Sequence, residues 1–196
     1  MLKKMHTRTA AVEAVLFLVL VIGGSPLIWG SRFGTNMVHD QLSAQKISFP
    51  PKGSPGLDPA EFPGLQCYAG QPVDNGPKAK AYADQFIAAH LKSAAGAKTY
   101  SEVSSAAQKA PTDAKLAAQV QTLFRGQTRR GLLLYAWGWS VVSHIAGLAA
   151  YAAFAGALVV LAALVSGLLH RNVVLATEPR RIATQAASGL TGAPPP

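Results

Sequence analysis

The chain has 196 residues, of which 49% are hydrophobic and 14% charged, with a formal net charge of +9. Average soluble domains carry roughly 25% charged residues, and here the deficit falls in two long uncharged stretches, which argues for a membrane protein. The basic excess does not argue for nucleic acid: Lys3, Lys4 and Arg8, then Arg125, Arg129 and Arg130, then Arg171, Arg180 and Arg181 all flank apolar stretches, where Lys and Arg meet lipid headgroups.

Residues 1–9 form a basic N-terminus, and 10–29 read AAVEAVLFLVLVIGGSPLIW. That run matches the roughly 20 residues needed to cross a bilayer's hydrocarbon core, and Trp29 sits where indole rings prefer to lie. A cleaved signal peptide with Gly23-Gly24-Ser25 as its small-residue site is the competing reading. The apolar run continues past that site through Pro26, Leu27, Ile28 and Trp29, so an uncleaved first transmembrane helix is expected. Glu13 lies one turn inside it, a costly place for a carboxylate unless it snorkels or pairs.

Residues 30–71 are rich in Pro and Gly, above all FPPKGSPGLDPAEFPG at 49–64. Prolines at that density cannot continue a helix or feed a ladder, so an extended linker is expected. Val38, Leu42 and Ile47 are only loosely periodic, so a helix over 31–47 has weak support. The single cysteine, Cys67, excludes an internal disulfide and a cysteine-rich metal site. A small, partly buried residue is the plain reading, and an intermolecular disulfide the sharper one.

Residues 72–126 read as a small three-helix domain. Asn75-Gly76-Pro77 supplies a cap and a first-turn proline. Tyr82, Ala83, Phe86, Ile87, His90 and Leu91 then follow helical apolar spacing up to Gly96. Thr99-Tyr100-Ser101-Glu102 has the capping-box pattern. Its helix offers Tyr100, Val103, Ala107 and Ala110 as a face and stops at Pro111. Thr112 is the expected cap of a third helix with Leu116, Val120, Leu123 and Phe124 on one face. Phe86 and Ile87 are expected in the core of this bundle, which alone would be marginal at about fifty residues.

Residues 127–146 should continue the third helix as a juxtamembrane segment, with Trp137 and Trp139 at the interface, and 147–169 should form the second crossing. Within it, Ala149, Ala153 and Ala157, and Ala152 with Gly156, make small-residue ladders suited to packing on Gly23 and Gly24 or on a second copy. Residues 170–196 end in Gly-Ala-Pro-Pro-Pro and should form a disordered tail. Two crossings put both termini on one side. The flanking charge slightly favours a multi-pass plasma-membrane protein with cytoplasmic termini and an extracytoplasmic domain. In that arrangement Glu13 and His170 share one interface, where Glu13 either snorkels to the headgroups or pairs with His170 or the neighbouring Arg171. The fold class expected is thus an all-α membrane protein: two transmembrane helices, a Pro/Gly-rich linker and a small extracytoplasmic helical bundle.

No reactive constellation emerges, so catalytic, cofactor-binding and metal-site residues are all read as none, and no cofactor is expected. The histidines His6, His39, His90, His144 and His170 lack ligand spacing. His90 fits a core position bonded to a neighbour, with proton sensing as its alternative. Ser93, Ser101 and Ser104 fit caps and surfaces rather than a nucleophile elbow. Asp40, Asp58, Glu61, Asp74, Asp84, Glu102 and Asp113 are dispersed, and no nucleotide fingerprint is present.

The stretches KAYADQFIAAHLKSAAGAKTYSEVS at 80–104 and QVQTLFRGQTRRGLLL at 119–134, with the apolar helices around them, resemble a family of small actinobacterial two-helix membrane proteins of unknown function. Members of that family are sometimes labelled aromatic ring-opening dioxygenases. That chemistry wants two histidines and a carboxylate on one face for non-haem iron, whereas His39 and His90, the only histidines of the central domain, sit in unrelated contexts. The residues point instead to a non-enzymatic accessory or scaffold protein engaging the lipid bilayer and an envelope protein partner or a second copy. A ligand or stress sensor is the alternative, and nucleic acid is not an expected partner.

Overall fold

A computed structural model describes the backbone over 2–190 and the side chains over 8–170. Its elements are α1 (Leu2–Ala44), two short 3-10 turns (Pro55–Leu57 and Pro63–Tyr68), α2 (Gly76–Ala81), a π-helical turn (Tyr82–Ile87), α3 (Ala88–Ala94), α4 (Tyr100–Lys109) and α5 (Ala114–Leu190). The chain is all-α: among the described residues there is no strand, only an isolated antiparallel bridge between Ser48 and Pro72. Two helical segments, Arg8–Ala44 and Ala114–His170, are long and apolar enough to cross a membrane. The chain divides into two compact units, one made of the residues up to Ile28 with those from Leu148 on, the other of Trp29–Gly147.

In the first unit, α1 and α5 pair through small residues. A Cβ on Gly24 would lie 3.2 Å from the Phe154 ring and 3.4 Å from Ala153, and one on Gly156 would lie 3.5 Å from Leu20. Ala150 and Ala157 are buried on the same seam. The expected small-residue packing therefore uses Gly24, Ala153, Ala157 and Gly156, whereas Gly23 has no neighbour and Ala149 and Ala152 are exposed. This antiparallel register sets Glu13 opposite about Leu164, more than one helical turn before His170. Among the described residues no hydrogen bond or ion pair joins Glu13 to His170, and this register does not set the two level; the Arg171 side chain, the other candidate partner, lies outside the described residues.

Two element ends differ from expectation. α1 does not stop at Trp29. It carries Pro26, which forfeits one main-chain bond, and Ser25 Oγ donates to the Val21 carbonyl at 2.7 Å one turn back. The helix runs on because Gly34, Val38 and Leu42, spaced four apart, are buried; tertiary burial overrides weak periodicity. It ends where Lys46 takes φ 52°. α5 likewise continues past the expected tail boundary at 170 as far as Leu190, since extending an existing helix avoids the nucleation cost. Residues 191–196 lie outside the described part.

The expected linker differs as well. Residues 47–73 are not extended but fold back on themselves. Phe49 N–H donates to the Gln71 carbonyl at 2.9 Å, Gly70 N–H to Pro50 at 3.0 Å and Val73 N–H to Ile47 at 2.8 Å. The Gln66 side-chain amide donates to the Leu57 and Phe62 carbonyls, both at 3.1 Å. Prolines pre-set φ for the turns, and the apolar residues between them, Phe49, Leu57, Phe62, Leu65 and Val73, are all buried. They form the main core with Val38 and Leu42 of α1, Ala79 and Ala83, and Leu133 of α5. A smaller cluster, Leu91, Ala95, Val103 and Leu123, lies where the three-helix bundle was expected. Phe86 and Ile87 are only partly buried and pack against the cores rather than filling them. Tyr100 and Phe124 are exposed. Lys80 Nζ lies over the Trp137 ring, 4.6 Å from its centroid.

Candidate functional site

Caps place the helices that build the site. The Asn75 side chain accepts from Lys78 N–H at 3.0 Å. Thr99 and Glu102 complete a reciprocal capping box, and the Thr99 donors hold the Glu102 carboxyl below its usual range. Asp113, not Thr112, starts α5, its carboxylate accepting from Lys115 N–H at 2.9 Å and Leu116 N–H at 3.1 Å.

Between α2 and α3 the turn Tyr82–Ile87 is π-helical, a local widening that recurs at functional positions. It carries an aromatic chain. Phe49 stacks on Tyr68 and meets Tyr82 edge-on at 5.1 Å; Tyr82 meets Phe86 at 4.7 Å, and Phe86 meets His90 at 4.4 Å. Phe62 closes the run by stacking on His90 at 5.9 Å. His90 is exposed rather than buried. Its Nδ1 lies 2.8 Å from the Phe86 carbonyl, which can only accept, so Nδ1 is the donor of this bond.

α5 approaches this aromatic face at Gly126, where a Cβ would strike the Leu91 side chain. The approach leaves a half-open groove of about 840 Å³. Its floor is apolar, with Phe86, Ile87, Leu91 and Leu133. Arg125 and Arg129 stand along its rim one turn apart on α5, beside Tyr82 and His90. Among the described residues no side-chain hydrogen bond or ion pair engages Arg125 or Arg129. Burial pushes the Tyr82 hydroxyl above its usual value, and the nearby Arg129 charge partly offsets this. Among the described residues no carboxylate lines the groove.

Arg130 differs from Arg125 and Arg129 in being paired. Its guanidinium donates to Asp84 at 2.9 Å, and Lys80 engages the other oxygen of the same carboxylate. The Lys80 hydrogen bond is the largest cause holding Asp84 below its ordinary value; burial opposes it, and the Arg130 hydrogen bond and the two cationic charges add to the lowering. This network ties α5 to the start of the π turn, while Arg125 and Arg129 are left to the groove.

The sequence-derived candidates do not converge. His39 Nδ1 lies 3.0 Å from the Asp74 carbonyl, and Asp74 pairs with Lys78 at 3.0 Å. Cys67 is exposed rather than partly buried, with Sγ 3.8 Å from the Gly64 carbonyl. Among the described residues no three His, Cys, Asp or Glu side chains gather as a metal site would require. The groove was missed in sequence because Arg125 and Arg129 read as membrane-flanking charge together with Arg130. Their i, i+4 spacing on one helix was the available signal.

No protein-family model, no curated protein and no solved structure matches the chain. The resemblance drawn from residues 80–104 and 119–134 therefore stands on those residues alone.

Proposed function

We propose that this chain is a non-enzymatic, multi-pass accessory or scaffold protein of the plasma membrane, acting by binding through its central domain. The observation that carries the reading is the apolar surface of α1 and α5. Each helix has an apolar window of which only 6% is buried. Val15, Val19 and Ile22 on α1, and Leu158 and Val159 on α5, are more than half exposed. A contiguous apolar face of that length is not sustained in water and suits lipid. Both termini then lie in the cytoplasm and the domain outside, the orientation slightly favoured by flanking charge. The bound partner is an envelope protein or a second copy.

The test has two stages. The protein should stay in the membrane fraction after an alkaline carbonate wash, and release into the supernatant would overturn the membrane reading. Crosslinking in native membranes followed by mass spectrometry should then recover a protein joined through residues of 29–147; adducts confined to the apolar windows would overturn the binding role of the domain. A ligand sensor is the second reading, favoured by the half-open groove beside Phe86. The ring-opening dioxygenase reading draws no support from the domain histidines, since His39 and His90 each direct Nδ1 at a main-chain carbonyl. Stoichiometric iron in the purified protein would revive it.

A further inference from the structure

We propose that the groove between the π turn and α5 binds a single-chain anionic amphiphile, its tail on the Phe86–Leu133 floor and its anionic head between Arg125 and Arg129. The inference deepens the binding reading above by naming a ligand class, and it rests on that reading only for the statement that the domain works by binding.

Charge is the first argument. Arg125 and Arg129 lie one turn apart on one helix, a spacing of about 6 Å, and neither is engaged by a carboxylate. The carboxylates of the same unit are employed or elsewhere: Asp84 holds Lys80 and Arg130, Asp74 holds Lys78, Glu102 and Asp113 cap helices, Asp58 accepts from Ala60 N–H, and Asp40 and Glu61 lie outside the groove lining. Two guanidiniums at that spacing present a fork to a carboxylate or phosphate.

The floor supplies the second argument. Phe86, Ile87, Leu91 and Leu133 make it apolar, and its volume of about 840 Å³ lies within the roughly 300–1,000 Å³ of small-molecule sites. Both long walls are helical, so their main-chain groups are already bonded. An extended peptide would find no free edge to pair with, whereas an alkyl chain needs none.

Size supplies the third. A groove of about 840 Å³ has room for one alkyl chain and its head but not for two such chains, which fits a single-chain amphiphile rather than a two-tailed lipid. A fatty acid and a lysophospholipid share the required chemistry, so the experiment separates them.

The test uses the full chain in phosphatidylcholine nanodiscs and a palmitate bearing a photoreactive diazirine. After irradiation, mass spectrometry should place adducts on the peptides carrying Phe86 and Leu132. Competition by palmitate alone would identify a carboxylate head, and competition by lysophosphatidylglycerol alone a phosphodiester; either supports the proposal. Equal competition by hexadecanol, which has no charge, would overturn it. The double variant Arg125→Gln/Arg129→Gln should need about tenfold more probe for the same labelling. Both side chains are exposed and unpaired, so the fold should survive, as its near-ultraviolet dichroism will report. Ala94→Trp, which fills the groove without touching charge, should also abolish groove labelling. Unchanged labelling in either variant, or adducts confined to the apolar windows, would overturn the proposal. Protein crosslinks to the domain without amphiphile labelling would leave the accessory reading intact while sinking this one.

Discussion

Replacing Phe49 with alanine asks whether the proline-rich stretch is a linker or part of the core. Phe49 is 2% exposed. It stacks on Tyr68 at 5.3 Å and meets Tyr82 edge-on at 5.1 Å. Truncating a buried phenylalanine costs about 3–5 kcal/mol, and aromatic pairs add about 0.5–1.5 kcal/mol each beyond burial, so the upper half of that range is expected. With domains stable by about 5–15 kcal/mol, a loss near 4 kcal/mol is a large fraction. At about 2–4 °C per kcal/mol for a chain of this size, it lowers the melting midpoint by about 8–16 °C. The readout is the near-ultraviolet dichroism of the aromatic cluster, followed on heating in nonionic detergent, because far-ultraviolet signal from the apolar helices persists in micelles. Pro51→Ala, at an exposed position two residues on, is the control and should move the midpoint by less than about 0.5 kcal/mol equivalent. A Phe49→Ala melt indistinguishable from the parent would refute the placement of this segment in the core.

Asp84 is held below its ordinary value of 3.8, so its contribution to stability is complete above that value and is lost as pH falls through the lower folded value. Asp84→Asn should cost about 1–2 kcal/mol at neutral pH and flatten the stability profile below about pH 4; a variant with the parent's acid limb would contradict the network. Gly126→Ala pushes a methyl into Leu91 and should cost about 1–3 kcal/mol, measured by the same melt, and no loss would mean that α3 and α5 do not approach there. Cys67 should react with a membrane-impermeant maleimide in intact cells after reduction; labelling only after lysis would reverse the orientation proposed above. In a Cys67→Ser background, the pair Leu20→Cys/Gly156→Cys should crosslink through a short bis-maleimide and Glu13→Cys/His170→Cys should not; the opposite result would reject the register of α1 on α5.

Local signals carried the local structure. The cap at Asn75, the box at Thr99–Glu102 and the stop at Gly96, with φ 57°, are where side-chain chemistry fixes a single turn. The continuity of the third helix into the apolar stretch was also legible, because nothing between Leu116 and Leu169 breaks a helix. What failed were inferences that needed long-range packing. Proline density in 49–64 signals turns and excludes regular structure, but it does not say whether Phe49, Leu57, Phe62 and Leu65 face water or a core. That is decided by Val38, Leu42 and Leu133, up to eighty-odd residues away. The same contacts carry α1 past Trp29.

The candidate site shows the limit more sharply. Arg125, Arg129 and Arg130 are three basic residues in six, and sequence offers no ground for separating them. On a helix, Arg130 points about 100° away from Arg129, and there it meets Asp84, forty-six residues earlier in the chain. That one ion pair anchors α5 against the turn that carries Tyr82 and Phe86, and so holds Arg129 along the aromatic face. Arg125, one turn earlier, falls on the same side. A structural cation and the two groove cations are thus distinguished by the position of a single carboxylate, which only folding brings into place. Removing that carboxylate should therefore loosen the groove as well as the domain, and Asp84→Asn should weaken labelling by the photoreactive palmitate although Asp84 touches no part of the groove.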